Sequence, residues 1–169
     1  MIEQGMVSKR AELIRGVIVE KVSKSILHTL LSNWLLDTLK QLAGESFWVR
    51  KEDPLTLTDS EPEPDISVVQ GRAQDYTEHP NTARLVIEVA VSTLAEDRAM
   101  ADIYAEAGVS EFWVVNATGK SVEAYREPRD GHYQTMETKR AGELLACAAL
   151  PGVTLDVAAM FAAVSGPAV

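Results

Sequence analysis

Apolar and polar positions along the chain switch between a period of two and a period near 3.6, and the switches mark the elements. Residues 11–22 (AELIRGVIVEKV) predict two short strands about an Arg15–Gly16 turn, with Val17, Val19 and Val22 set partly against Glu20 and Lys21. In residues 25–44 (SILHTLLSNWLLDTLKQLAG), Ile26, Leu27, Leu30, Leu31, Trp34, Leu35 and Leu42 recur at helical spacing, and Gly44 supplies a stop. SFWVRK (46–51) and PLTL (54–57) read as strands, with Pro54 marking an edge or a break. A strand over 65–70 follows, and then a polar, turn-rich surface loop over 71–83.

RLVIEVAV (84–91) is almost continuously apolar and β-branched, the pattern of a central strand covered on both faces, and Glu88 is the one charge inside it. Ser92–Thr93 predicts a cap for a helix through LAEDRAMADIYAEA that ends at Gly108, with Glu96 and Asp97 in its first turn favouring the helix dipole. SEFWVVN (110–116) is another buried strand. KSVEAYRE (120–127) alternates, so one face is wet, and HYQTMET pairs with it across PRDG. The tail, LPGVTLDVAAMFAAV, gives a short strand or turn and then a helix. The order implies an α/β fold, a mixed β-sheet core flanked by helices, with 84–116 as a right-handed parallel crossover.

Composition narrows the reading. A chain of 169 residues, 46% apolar and 24% charged, fits a single folded domain over 1–169. Cys147 is the only cysteine, which excludes an internal disulfide and a multi-cysteine zinc site; it reads as a small core residue. Trp34, Trp48 and Trp113 lie in apolar patterns and read as core rather than as a platform for bases. No apolar run approaches the ~18 residues a membrane helix needs, and MIEQGMVSKR lacks the apolar middle of a secretory signal, so a soluble, cytoplasmic protein is expected. The net charge of −9 argues against tight, non-specific DNA binding without metal, although carboxylates that hold metal ions count toward that total.

Two carboxylates carry the candidate chemistry. EPEPDISVV (61–69) turns from an acidic, proline-rich loop into an apolar strand at Asp65, and Glu88 sits within another strand. An unpaired buried charge costs several kcal/mol, so Glu88 needs compensation. A hard divalent cation supplies it if the strands are neighbours, because Mg²⁺ takes one or two carboxylates plus water and substrate phosphate. Such an ion stabilises charge on a phosphate and acidifies water. The alternatives are a strand-entry role for Asp65, and a structural ion pair of Glu88 with Arg84, Arg98 or a lysine.

Pro-Asp, some twenty residues, then a glutamate in a core strand resembles the PD-(D/E)xK nuclease core. The wider pattern, in "AELIRGVIVE", "EPEPDISVV", "LVIEVAVSTLAEDR", "IYAEAGVSEFWVVN", "VEAYR" and "LPGVTLDVAAMF", resembles the Uma-type family of putative restriction endonucleases. The resemblance covers nearly the whole chain and implies a restriction endonuclease-like fold with Mg²⁺- or Mn²⁺-dependent cutting of DNA. It implies Asp65, Glu88 and the backbone carbonyl of Val89 as metal ligands. Glu12 and His28 match family positions that border the site. On the residues alone, Glu12 extends the metal shell or pairs with a basic residue, and His28 is either catalytic or a satisfied histidine of the core or its rim. A homodimer is expected, with the strand at 120–127 as an edge and the 71–83 loop as a second surface.

The chain departs from the family pattern at the lysine. Two residues after Glu88 stands Ala90; four residues before Tyr104 of the Y-x-x-x-G stretch, where the Uma-type lysine lies, stands Met100. Arg98 lies about 200° around the helix from Met100, and Asp97 shares its side with the wrong sign. Lys21 or Lys24 reaching in from elsewhere, and Met100 as a core filler, stay open. Loss of one electrostatic group costs ~10²–10³ in rate, so weak or absent activity is expected. The alternatives are a catalytically degenerate nuclease-fold protein acting in binding or assembly, and a hydrolase for another phosphate ester.

Overall fold

The computed structural model describes residues 11–166; the reading of MIEQGMVSKR lies outside them. The described chain opens with a hairpin of β1 (Ala11–Ile14) and β2 (Val17–Glu20), turned through Arg15 and Gly16 at φ 48° and 77°. Positive φ at both turn positions is the type I′ pattern of a two-residue hairpin, which the glycine adopts without strain. The hairpin is a separate two-stranded sheet, tied to the rest by the Glu61 N–H to the Leu13 carbonyl (2.7 Å) and the Gly16 N–H to the Asp59 carbonyl (2.8 Å). Val17, Ile18 and Val19 are therefore exposed, and the alternation read in the sequence does not mark a core face.

Helix α1 (Ile26–Leu42) is capped by Ser25, whose hydroxyl accepts from the His28 N–H. Leu31, Leu35 and Leu39, spaced at i, i+4 and i+8, are fully buried. Ile26, Leu30 and Leu42 from the predicted stripe are exposed, and Leu39 completes the buried row. Next come β3 (Phe47–Lys51), β4 (Ile66–Gln70) and β5 (Leu85–Ala90), then the short helices α2 (Leu94–Ala99) and α3 (Ala101–Glu106). β6 (Glu111–Asn116), β7 (Ser121–Arg129) and β8 (His132–Arg140) complete a six-stranded sheet in the order β3-β4-β5-β6-β7-β8. β5 and β6 pair in parallel, as the crossover reading requires; the other neighbours are antiparallel. A small pair, β9 (Leu144–Ala146) and β10 (Thr154–Asp156), leads into α4 (Val157–Val164).

The sheet divides two apolar layers. On one side α1 and α4 pack with Ile66, Val68, Ile87, Val89, Trp113 and Val115. On the other, Tyr104 packs with Val69, Val86, Phe112 and Val114. Trp113 and Cys147 are buried and Trp34 and Trp48 half-buried, in line with their core reading.

Three expectations are corrected. PLTL forms no strand: the Leu55 and Leu57 N–H groups bond to the Pro62 and Ser60 carbonyls across a turn, although Leu55 is fully buried. The helix over 94–107 is broken at Met100, where the Met100 N–H reaches the Asp97 carbonyl three residues back before the Tyr104 N–H resumes the four-residue step. The 120–127 strand is not an edge, because β8 covers it; among the described residues β3 and β8 are the edges of the sheet.

Leu35→Ala opens a cavity between α1 and the sheet and should lower the unfolding free energy by about 2–5 kcal/mol. Leu30→Ala, at a position 44% exposed, should cost about 1 kcal/mol or less. Urea denaturation of the two variants checks the assignment of the buried row.

Candidate active site

Strand register brings the two carboxylates together. β4 and β5 run antiparallel with Ile66 opposite Ile87, so the next step sets Asp65 opposite Glu88. The main-chain ladder stops there. The Val89 N–H donates to Asp65 Oδ2 at 2.7 Å, and the Asp65 N–H points at Glu88 Oε2 at 3.4 Å. A side-chain carboxylate has replaced the next ladder acceptor. Both groups are buried, 3% and 5% exposed.

Each carboxylate has a distinct set of partners. Asp65 Oδ2 also lies 3.0 Å from His28 Nε2, and Asp65 Oδ1 lies 3.6 Å from Lys24 Nζ. His28 Nδ1 faces Ser32 Oγ at 3.5 Å, so one ring edge meets Asp65 and the other meets the helix's own hydroxyl. Glu88 Oε1 accepts from the Tyr104 hydroxyl at 2.8 Å. Arg98 forks onto Glu123 and Arg84 reaches Gln70, so neither is the structural partner of Glu88 that the sequence left open.

The environments push the pair apart. Burial would raise the Asp65 carboxyl, but His28 and the Val89 N–H outweigh it and hold it at about 2. Burial and the neighbouring Asp65 charge raise Glu88 well above the ordinary carboxylate range, with Lys21 opposing them. Asp97 rises to about 6 through burial and the Asp65 charge, against the hydrogen bond from Thr93. That bond, Thr93 Oγ1 to Asp97 Oδ2 at 2.6 Å, replaces the side-chain cap predicted at Thr93.

Two lysines enter from the segment between β2 and α1. Lys21 Nζ lies 3.1 Å from Glu12 Oε1 and donates to the Glu63 carbonyl at 2.6 Å. Glu12 Oε1 also accepts from the Glu63 N–H at 2.6 Å. Lys24 bridges Asp65 and Glu52. Glu12, His28, Asp65, Glu88 and Val89 all line one cavity of about 400 Å³, and Met100 lines its helical wall. The five site candidates and the lysine position of the family pattern thus share one cavity.

The cavity suits a hard divalent cation. Six carboxylates line it against Lys21, Lys24 and His28, so negative charge is in excess. Within an extended residue the N–H and C=O share a side, and the Val89 N–H faces Asp65 while the Ala90 carbonyl turns to the Ala117 N–H on the β6 side. The Val89 carbonyl therefore faces the β4 side of the strand, the side of Asp65. Among the described residues no three His, Cys, Asp or Glu side chains converge as a complete cage. Such an incomplete set fits Mg²⁺ or Mn²⁺, which share their shell with water and phosphate.

The contact of Tyr104 with Glu88 is one that the sequence did not state, and the approach of Lys24 is one that it left open. Tyr104 had a signal: it is four residues from Met100, hence on the same helix face. For Lys24 the sequence could name the candidate and not its target, since its approach depends on how the hairpin docks.

A mixed α/β sheet with paired carboxylates where its central strands part defines a restriction endonuclease-like nuclease fold. The chain belongs to the Uma2 family, described as "putative restriction endonuclease", whose profile matches residues 7–158. No curated protein matches it. The crystal structure of a "putative nuclease belonging to DUF820" from Anabaena variabilis ATCC 29413 shares the fold, with a TM-score of 0.80 at 17% identity over 92% of this chain and 91% of that one. Among the described residues no helix is long and apolar enough to cross a membrane.

Stability should report the buried charge. A carboxyl whose pKa is raised on folding keeps a proton that the unfolded chain has lost, so metal-free stability falls as pH rises above about 4.5 through the raised value of Glu88. Asp97 acts in the same sense between 3.8 and about 6, whereas the Asp65 contribution is lost only as pH falls from 3.8 through about 2. Glu88→Gln keeps an acceptor for Tyr104 without the charge. Without metal it should exceed the parent by about 1–3 kcal/mol at pH 8, with the gap closing toward pH 5. Urea titrations at both pH values test this; a parent as stable as the variant at pH 8 contradicts it.

Proposed function

We propose that the chain is a divalent-metal-dependent nuclease acting on DNA phosphodiesters. The reading rests on one observation above the others: Asp65 and Glu88, from separate strands, are buried together in a cavity with excess negative charge. A bound Mg²⁺ or Mn²⁺, held by Asp65, Glu88 and the Val89 carbonyl, would supply positive charge at the phosphate being substituted. The residues supply the rest. His28 and the Val89 N–H hold Asp65 ionised and fixed in direction. Tyr104 orients Glu88, whose ionisation a cation would favour. Glu12 borders the site and ties Lys21 to its rim. Cutting both strands of a duplex calls for two such sites, which a symmetric pair of chains supplies.

A second reading, a catalytically degenerate protein that binds or assembles, is favoured by Met100 at the family's lysine position and by the net charge of −9.

Calorimetric titration with Mn²⁺ and a plasmid-nicking assay separate the two. The nuclease reading expects Mn²⁺ binding near one ion per chain, weakened at least tenfold in Asp65→Ala and in Glu88→Ala, and nicking by the parent that both variants lose. Binding without nicking favours the degenerate protein, and no binding removes the metal site.

A further inference from the structure

We propose that Lys21 is the catalytic cation of this chain, taking over from the segment between β2 and α1 the role that the family places at position 100. This assignment rests on the nuclease reading above and names a residue that acts within the same site.

A nuclease core of this kind needs a positive group beside its glutamate, aimed where phosphate charge develops, because preorganised charge in a water-poor site acts strongly on the transition state. Position 100 carries no charge. Met100 lies half-buried at the joint of α2 and α3 and packs against the layer around Tyr104. Arg98, the nearest cation in sequence, is spent on Glu123 with two contacts of 2.8 and 2.9 Å. The α2–α3 wall therefore offers no ammonium to the cavity.

The opposite approach offers two. Lys24 is committed to Asp65 and Glu52, so it sits on the aspartate side. Lys21 is likewise held at two points, but neither of its anchors is the Asp65 carboxylate. It lines the same cavity as Glu88, and its charge opposes the burial of that carboxylate. Its ammonium is anchored at two points, the Glu12 carboxylate and the Glu63 carbonyl. An ammonium carries three donors, so one N–H is left for a ligand, and the side chain lines the cavity with 19% of its surface exposed. An anchored, partly exposed cation in the glutamate's own cavity, with a spare donor, meets what the chemistry asks.

In hydrolysis the water oxygen forms a bond to phosphorus while the bond from phosphorus to the leaving sugar oxygen breaks. The proton that water gives up passes to solvent, and the leaving oxygen takes one from solvent. Lys21 keeps all three of its protons and donates one hydrogen bond to a non-bridging phosphate oxygen, where negative charge grows. Its contact with Glu12 makes that glutamate a positioning residue.

The test moves the lysine. Nicking with Mn²⁺ is compared in the parent, Lys21→Met, Met100→Lys and the double variant Lys21→Met/Met100→Lys, with Mn²⁺ affinity and melting temperature measured for each. Lys21→Met should lose ~10²–10³-fold in rate while binding Mn²⁺ as tightly as the parent or more so, since a competing positive charge has gone. The double variant should recover at least tenfold over Lys21→Met. Lys21→Gln, which keeps an N–H donor and removes the charge, carries the test if Lys21→Met melts below the assay temperature. Parental nicking by Lys21→Met, or by Lys21→Gln in its place, overturns the assignment and leaves the nuclease reading standing. Weakened Mn²⁺ binding in the folded variant also overturns it, because Lys21 would then be building the site. A double variant no faster than Lys21→Met does the same. A parent that binds Mn²⁺ and never nicks overturns the assignment and the nuclease reading together.

Discussion

Two carboxylates buried side by side repel each other and lose their hydration, so a fold that places them there must offset at least one charge. Asp65 and Glu88 meet this condition unequally. Asp65 has an N–H of Val89, the imidazole of His28 and the nearby ammonium of Lys24. Glu88 has a tyrosine hydroxyl and a main-chain N–H at 3.4 Å, neither of which carries charge, and the Lys21 charge opposes its burial without matching it. The imbalance is concentrated at one residue in the middle of the sheet. Apolar layers on both sides of β5 leave that residue nowhere else to turn, and a cation at the cavity is the simplest compensation. Strain of this kind is a recurrent cost of functional sites.

The same constraint accounts for the features around the pair. The β4–β5 ladder ends where Asp65 takes over as acceptor, and both carboxylates line the cavity at that point. The helix after β5 breaks at Met100 and resumes in time for Tyr104 to reach Glu88. The N-terminal hairpin contributes little to the core, since β2 is exposed along its length, yet the segment after it brings Lys21 and Lys24 to the carboxylates. The hairpin's value to the molecule is positional. It holds cations over a site that the α2–α3 wall leaves without one.

Much of this was legible in the sequence, for physical reasons that differ by residue. Glu88 was visible because one charge in a β-branched run has to be explained, and Asp65 because Pro64 and the apolar strand bracket it. The helix and strand order followed from periodicity, which burial enforces on long elements such as α1. The errors fall where burial and pattern part company. PLTL looked like a strand because Leu55 is a true core residue, but its N–H groups close a turn. Val17 and Val19 sit in a partly alternating strand and are nonetheless exposed, because the hairpin lies outside the main sheet. The register that sets Asp65 opposite Glu88, and the approach of Lys21 and Lys24, are tertiary facts: no local rule states which strand lies beside which, or where a flexible ammonium ends.

The most direct measurement is a crystal structure of the protein grown with Mn²⁺, examined for anomalous scattering. The account predicts one strong peak within coordination distance of the Asp65 and Glu88 carboxylates and the Val89 carbonyl, with the Lys21 ammonium turned toward the same cavity. Saturating Mn²⁺ that leaves this position empty, or that binds only at surface carboxylates, would contradict it.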